Sequence, residues 1–121
     1  MLDETFCPFL VNDLSMSSTP AGLAHVVVFT LKDPSTASRD RLVAACHRFL
    51  TDHPGTVHFS AGTRAVSYTR PVNDQNFDVA LVLVFATQAD HDRYQEAPRH
   101  KEFIAEQSPH WASVRVFDAF V

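Results

Sequence analysis

The chain has 121 residues, of which 45% are hydrophobic and 20% charged, and this composition predicts one globular domain with a proper core. The net charge of −4 and the absence of a lysine and arginine cluster argue against a nucleic-acid partner or an anionic membrane surface. No apolar run approaches the ~20 residues that span a bilayer, and the acidic start lacks the basic region of a signal peptide. The sequence therefore predicts a cytoplasmic protein with no membrane partner.

Residues 1–22 differ from the rest of the chain and are predicted to be an N-terminal extension. Apolar residues occur there without a helical or strand period, and a linker-like run of small residues follows them. Two interpretations stay open. Met16 can be the true start, which would make residues 1–15 an artefact of gene calling, or the aromatic residues of this segment dock on the domain or on a partner subunit.

The domain itself is predicted over residues 23–121 and opens with a strand at residues 25–31, which is rich in β-branched and aromatic residues. Because side chains alternate along a strand, one face of it carries His25, Val27, Phe29 and Leu31. Helical spacing of apolar residues predicts a helix over residues 37–52. A short alternating strand is predicted next, over residues 57–63.

A third strand, over residues 78–86, is apolar on both faces. Such a strand must be covered on both sides. In a chain of this length helices can cover one face, so a second copy of the protein is expected on the other. The polar loop that precedes the strand, residues 67–76, is long for a hairpin and is a candidate lid or cavity rim.

The last third of the chain predicts two helices and a closing strand. Thr87 and Asp90 form a capping box that starts a helix, and Pro98 restarts the helical path at a position that proline favours. A strand over residues 113–121 follows. The order βαββαβ is that of an α+β, ferredoxin-like fold, with a four-stranded antiparallel sheet and helices on one face. The bare face predicts a homodimer.

Several segments in this order resemble the stress-responsive dimeric α+β barrel family. They are AHVVVFTLK, HPGTVHFSAG, FDVALVLVFAT, DRYQEAPRHKEFI and the closing VRVFD, and together they cover residues 24–120. The resemblance implies a homodimer in which two sheets meet through their bare faces to form a dimeric α+β barrel. It implies no cofactor, because the small enzymes of similar architecture (monooxygenases, isomerases and a plant polyketide cyclase) are cofactor-free.

The plant polyketide cyclase, which makes olivetolic acid, implies catalytic positions by resemblance. His25 matches its histidine on the first strand, Tyr94 matches its tyrosine, and His100 matches its second histidine. A tyrosine on its first helix has no counterpart here, because Cys46 or His47 falls at that place. The pocket candidates are accordingly Val27, Phe29, Cys46, His47, His91 and Phe103.

An aldol or isomerisation step needs a base beside a carbonyl and a hydrogen-bond donor at the developing enolate oxygen. A histidine near its ordinary pKa of ~6.5 can be the base at neutral pH, and the tyrosine hydroxyl can be the donor. The alternative is structural: an inward histidine is often a hydrogen-bonded core residue, and Tyr94 can hold the helix junction through a backbone carbonyl.

Other chemistries find less support. The seven histidines show no HxH or HxxxH spacing, and Cys7 and Cys46 show no metal-finger spacing, so no metal site is predicted. Two functions remain. The first is a stress-responsive homodimer of unassigned activity with a pocket for a small apolar or aromatic ligand. The alternative is a cofactor-independent cyclase, isomerase or monooxygenase that uses histidine and tyrosine acid–base chemistry.

Overall fold

The computed structural model describes residues 21–121. The elements are β1 (Leu23–Leu31), α1 (Thr36–Phe49), β2 (Thr56–Thr63), β3 (Val79–Phe85), α2 (Gln88–Glu96), α3 (Pro98–Gln107) and β4 (Trp111–Phe120), with a 3-10 turn at Ser108–His110. Both interpretations of the N-terminal extension, a start at Met16 and a docked aromatic segment, concern residues outside the described range.

The four strands form one antiparallel sheet in the order β2-β3-β1-β4. At its centre Val27 of β1 lies opposite Leu81 of β3 on one side and opposite Val116 of β4 on the other. This arrangement confirms the predicted α+β, ferredoxin-like fold. It places the first and last strands side by side, so that residues far apart in sequence become neighbours.

The core lies between the sheet and the helices. Alternate residues of β1 and β3 are buried on the helix side, as the period of two requires. The helices contribute the rest of the core, and its largest fully buried side chains are Phe29, Phe85, Phe103, Leu42, Leu50, Leu81 and Leu83.

The other face of the sheet is apolar in the middle and polar towards β2. Val26 and Val28 of β1 and Val82 and Val84 of β3 lie on this face and are half-buried. On β2, His58 and Ser60 point the same way and are exposed. Within residues 21–121 no helix covers this valine face, which matches the expectation of a bare surface.

The helix starts follow the sequence signals. The Ser35 side chain accepts a hydrogen bond from the Ser38 N–H and caps α1, while Thr87 accepts one from the Asp90 N–H, confirming the predicted capping box. Pro98 is the first residue of α3. Among the described residues no helix has the length and apolar character needed to cross a membrane.

Most element boundaries lie within two residues of those predicted, and two of the differences have a clear structural cause. Helix α1 ends at Phe49 rather than at residue 52, because the chain turns towards β2 through Asp52 and Gly55, whose φ angles are 63° and 83°. Strand β4 begins two residues early, at Trp111, because a bulge between Thr30 and Leu31 lets the end of β1 keep pairing with it.

Candidate functional site

A cavity of about 130 Å³ lies between the sheet and helices α2 and α3. His25, Tyr94 and His100, the three predicted catalytic residues, all border it. Its remaining walls are almost entirely apolar and consist of Val27, Phe29, Leu81, Gln95, Phe103, Ile104, Trp111, Val114 and Val116. The cavity therefore offers a few polar groups within an apolar surround, as small-molecule sites generally do.

Tyr94 and His100 are brought together by the break between α2 and α3. Tyr94 lies near the end of α2, where its carbonyl accepts a hydrogen bond from the Ala97 N–H, and Pro98 then starts α3 in a new direction. The two ring centroids are 4.7 Å apart. The His25 ring, on β1, lies 6.0 Å from that of Tyr94. One aromatic side chain thus bridges the two imidazoles.

His25 is held by an acid that the sequence did not reveal as functional. Its Nδ1 lies 2.6 Å from Oδ1 of Asp118, which stands opposite it on β4. The His25 side chain is 6% exposed and that of Asp118 is 43% exposed. A proton on Nδ1 leaves the lone pair on Nε2. The available signal was an aspartate at a position of β4 where the alternation calls for an apolar residue.

Burial sets the protonation of the three cavity residues. It lowers the pKa of His25, although the hydrogen bond and charge of Asp118 act in the opposite direction. It also lowers the pKa of His100, against a smaller opposing effect of the Gln95 carbonyl. Burial raises the pKa of Tyr94, and the nearby Cys46 adds to this. At neutral pH the site therefore holds two neutral imidazoles and a protonated phenol.

The structure separates the other pocket candidates into two groups. Val27, Phe29 and Phe103 line the cavity. Cys46 lies outside the lining, fully buried in the core, where burial raises the pKa of its thiol to about 12. His47 is exposed on α1, and its ring faces Phe59 at 5.1 Å, away from the cavity.

His91 also lies outside the cavity lining, against the outer side of His25. The two imidazole centroids are 4.9 Å apart, and Phe85 packs on the same ring of His91 at 5.7 Å. One nitrogen from each histidine and an oxygen of Asp118 lie within 4.8 Å of one another. Among residues 21–121, these three side chains form the cluster that could hold a metal ion, although no spacing in the sequence predicts it.

Trp111 is a wall residue that no sequence pattern marked as part of the site. Its ring packs on Phe29 at 4.9 Å and on Phe103 at 5.8 Å. Its Nε1, like Nδ1 of His100, is buried and has no hydrogen-bond partner among residues 21–121. Two unpaired polar atoms therefore belong to the walls of the same apolar cavity.

The long loop before β3 does not reach this cavity. Tyr68, Arg70 and Asp74 line a separate open concavity of about 300 Å³, together with Arg64 and Phe77. None of the cavity-lining residues comes from this loop. The loop therefore borders this second concavity and not the histidine cavity, and its role as a lid stays a prediction.

The same fold occurs in several solved structures. A Dabb family protein from Mesorhizobium loti is 26% identical, with a TM-score of 0.68, covering 82% of this chain and 95% of that one. A hydroxynitrile lyase from Passiflora edulis is 22% identical, with a TM-score of 0.69 and coverages of 85% and 95%. A dimeric ferredoxin-like protein from Thermobifida fusca is 16% identical, with a TM-score of 0.70 and coverages of 91% and 100%.

Sequence comparison agrees with the structural likeness. No curated protein matches the chain significantly. The family model described as the stress responsive A/B barrel domain matches residues 23–121, which is the whole domain between β1 and the end of the chain. The chain therefore belongs to the stress-responsive A/B barrel domain family.

Proposed function

We propose that the protein binds a small apolar carbonyl compound in the cavity and catalyses acid–base chemistry beside the carbonyl, as a cyclase, isomerase or lyase does. The observation that carries this proposal is the meeting of His25, Tyr94 and His100 on one cavity whose other walls are apolar. Perturbed titratable groups in such a cavity are typical of active sites. That a hydroxynitrile lyase shares the fold adds an example of enzyme chemistry on this scaffold.

The proposed step is proton abstraction from the carbon next to the carbonyl. The neutral imidazole of His100 accepts the proton, and the C–H electron pair moves into the carbonyl group to give an enolate. The Tyr94 hydroxyl, kept protonated by burial, donates a hydrogen bond to the developing oxygen anion. His25, oriented by Asp118, supports the Tyr94 ring, whose centroid lies 6.0 Å from its own.

The volume of the cavity limits the substrate. A cavity of ~150 Å³ lined by apolar side chains holds benzene, so about 130 Å³ accommodates one ring or a short alkyl group. Ile104, Val114 and Val116 border the cavity and are themselves exposed. A longer apolar tail would lie along these three side chains.

A ligand-binding role without turnover is the second candidate. Tyr94 is only 2% exposed, which limits the reach of its hydroxyl towards a bound molecule. The His25 Nδ1 is already paired with Asp118. Under this alternative the same cavity holds an apolar or aromatic ligand, and its polar groups only orient it.

We further propose that the functional unit is a homodimer formed through the valine face of the sheet. Val26, Val28, Val82 and Val84 are half-buried there without cover from the described residues, and contiguous apolar surface of this kind marks an interface. Related proteins from Thermobifida fusca and Bacteroides fragilis are described as dimeric. A cytoplasmic location also stays a prediction, with which the free thiol of Cys46 agrees.

Exchange of the α-protons of acetophenone in D₂O, followed by ¹H NMR, tests the base directly because it needs no knowledge of the natural substrate. The wild-type protein is expected to accelerate the exchange. We expect His100→Ala to lower the protein-dependent rate by about 10²- to 10⁴-fold, as for loss of a general base. Tyr94→Phe should lower it by roughly 10²- to 10³-fold, as for loss of an oxyanion donor.

His58→Ala, at an exposed site on β2, is the matched control and should leave the rate unchanged. Binding of acetophenone is measured in parallel by chemical-shift changes. Binding without accelerated exchange in the wild type would contradict catalysis for this ketone class and favour the ligand-binding role. An exchange rate that His100→Ala does not change would remove His100 as the base.

A further inference from the structure

Three side chains with metal-binding groups meet beside the cavity, and they come from three different elements. His25 lies on β1, His91 on α2 and Asp118 on β4. One nitrogen of each imidazole and one carboxylate oxygen are all within 4.8 Å of one another. We propose that these residues form a binding site for a divalent transition metal such as Zn²⁺.

The donor set determines which metals fit. Two imidazoles and one carboxylate suit Zn²⁺, Co²⁺ or Ni²⁺, whereas Mg²⁺ and Ca²⁺ prefer oxygen ligands alone. Zn²⁺ binds histidine nitrogen and carboxylate oxygen at ~2.0–2.2 Å, so tetrahedral ligand atoms lie roughly 3.4 Å apart. The present 2.6 Å between His25 Nδ1 and Asp118 Oδ1 is therefore the distance that must open if both atoms are ligands.

Asp118 is free to make this movement. It lies on β4, an edge strand of the sheet, and 43% of its side chain is exposed. His25, in contrast, is packed in the core with 6% of its side chain exposed. A rigid imidazole with an adjustable carboxylate allows the cation to take the place of the proton between them without moving the core.

His91, the third proposed ligand, already contacts a carboxylate through one of its ring nitrogens. The Nδ1 of His91 lies 3.1 Å from Oδ1 of Asp92, and with a proton on Nδ1 the lone pair remains on Nε2. The Gln95 side-chain amide lies 3.3 Å from this Nε2, so the metal ion would replace that contact. Metal-bound histidines typically donate their other N–H to such a carboxylate, which orients the ring and strengthens its basicity. The side chain of His91 is 13% exposed, so solvent can deliver the ion.

Three protein ligands leave a fourth position of a tetrahedral ion open to water or to a ligand oxygen. Because metal binding needs no organic substrate, this inference does not depend on the proposed enzyme function. When both hold, an ion on His25 would compete with the support that this residue gives to Tyr94. Zinc would then slow the proton exchange in a way that a chelator reverses.

Titration of the 121-residue chain with Co²⁺ in solution, followed by visible absorption of the bound ion, tests the site. The expected result is the intense spectrum of tetrahedral Co²⁺, saturating at one ion per chain and displaced by Zn²⁺. His91→Ala and Asp118→Asn should weaken the affinity by at least roughly tenfold. His58→Ala, an exposed histidine on β2, serves as the control and should bind Co²⁺ like the wild type.

Circular dichroism verifies that each variant is folded, and His91→Gln provides a second variant of similar polarity should His91→Ala unfold. Wild-type protein without tetrahedral Co²⁺ absorption would overturn the proposal. So would unchanged affinity in either folded His91 variant. A thiolate charge-transfer band that disappears in Cys7→Ser would place the ion on Cys7 and equally contradict the proposed site.

Discussion

Tyr94 and His100 illustrate how position alone changes the pKa of ordinary side chains. Both are placed at an apolar cavity by the junction of α2 and α3. There burial opposes charge on either group, so the imidazole is kept unprotonated and the phenol protonated. A base and a donor in these states are what enolate formation requires.

The lowered pKa of His100 predicts a pH dependence of stability. Burial is the main cause, His25 and His53 also lower this pKa, and Glu96 opposes them. Since the unfolded chain then binds more protons than the folded one, the free energy of unfolding must fall as the pH drops below the unfolded pKa of ~6.5. In His100→Gln this part of the slope disappears.

Urea unfolding between pH 5 and pH 7 measures this effect. The curve of unfolding free energy against pH is expected to be shallower for His100→Gln than for the wild type. His58→Gln, which alters an exposed histidine, should keep most of the wild-type slope. Equal slopes for His100→Gln and the wild type would show that His100 has the same pKa in both states.

At the scale of elements, the turn between α1 and β2 has a strict steric requirement. Gly55 has a φ of 83°, and a Cβ built on it would lie 2.1 Å from Cγ of Asp90 on α2. The Gly55 carbonyl also accepts a hydrogen bond from the Ala86 N–H, after β3. This glycine therefore lets the α1–β2 turn, the end of β3 and α2 approach one another.

Gly55→Ala is expected to destabilise the fold by at least about 1–2 kcal/mol, the cost of a side chain in the left-handed region, with the clash against Asp90 added to it. Gly62 on β2 is a matched control, because a Cβ there meets no atom within 4 Å. Gly62→Ala should be neutral or slightly stabilising. Chemical denaturation compares the two, and a Gly55→Ala protein as stable as the wild type would contradict the steric argument.

At the scale of the whole molecule, the two faces of the sheet have different surroundings. One face, with the helices, encloses the core and the cavity, while the valine face remains open in a single chain. Covering the valine face with a second copy leaves the cavity of each subunit on the outer, helical side. A substitution on the valine face can then weaken the dimer without altering the residues of the cavity.

Sedimentation equilibrium should give twice the chain mass of 13.5 kDa. Val82→Lys, in the middle of the valine face, is expected to weaken the dimer by placing like charges opposite each other in an apolar interface. Val72→Lys makes the same change at a valine that is 83% exposed in the loop before β3, and should leave the mass unchanged. A wild-type monomer, or a folded Val82→Lys dimer of undiminished strength, would argue against this interface.

The sequence by itself determined the order of the elements, the helix starts at Thr87 and Pro98, and the need to cover β3 on both faces. These features follow from local periodicity and capping, which depend on residues close together in the chain. The pairing of His25 with Asp118 spans 93 positions, and His91 joins them from a helix. Only the tertiary structure decided those contacts, because strand order, register and helix crossing bring distant side chains together, and no local pattern encodes them.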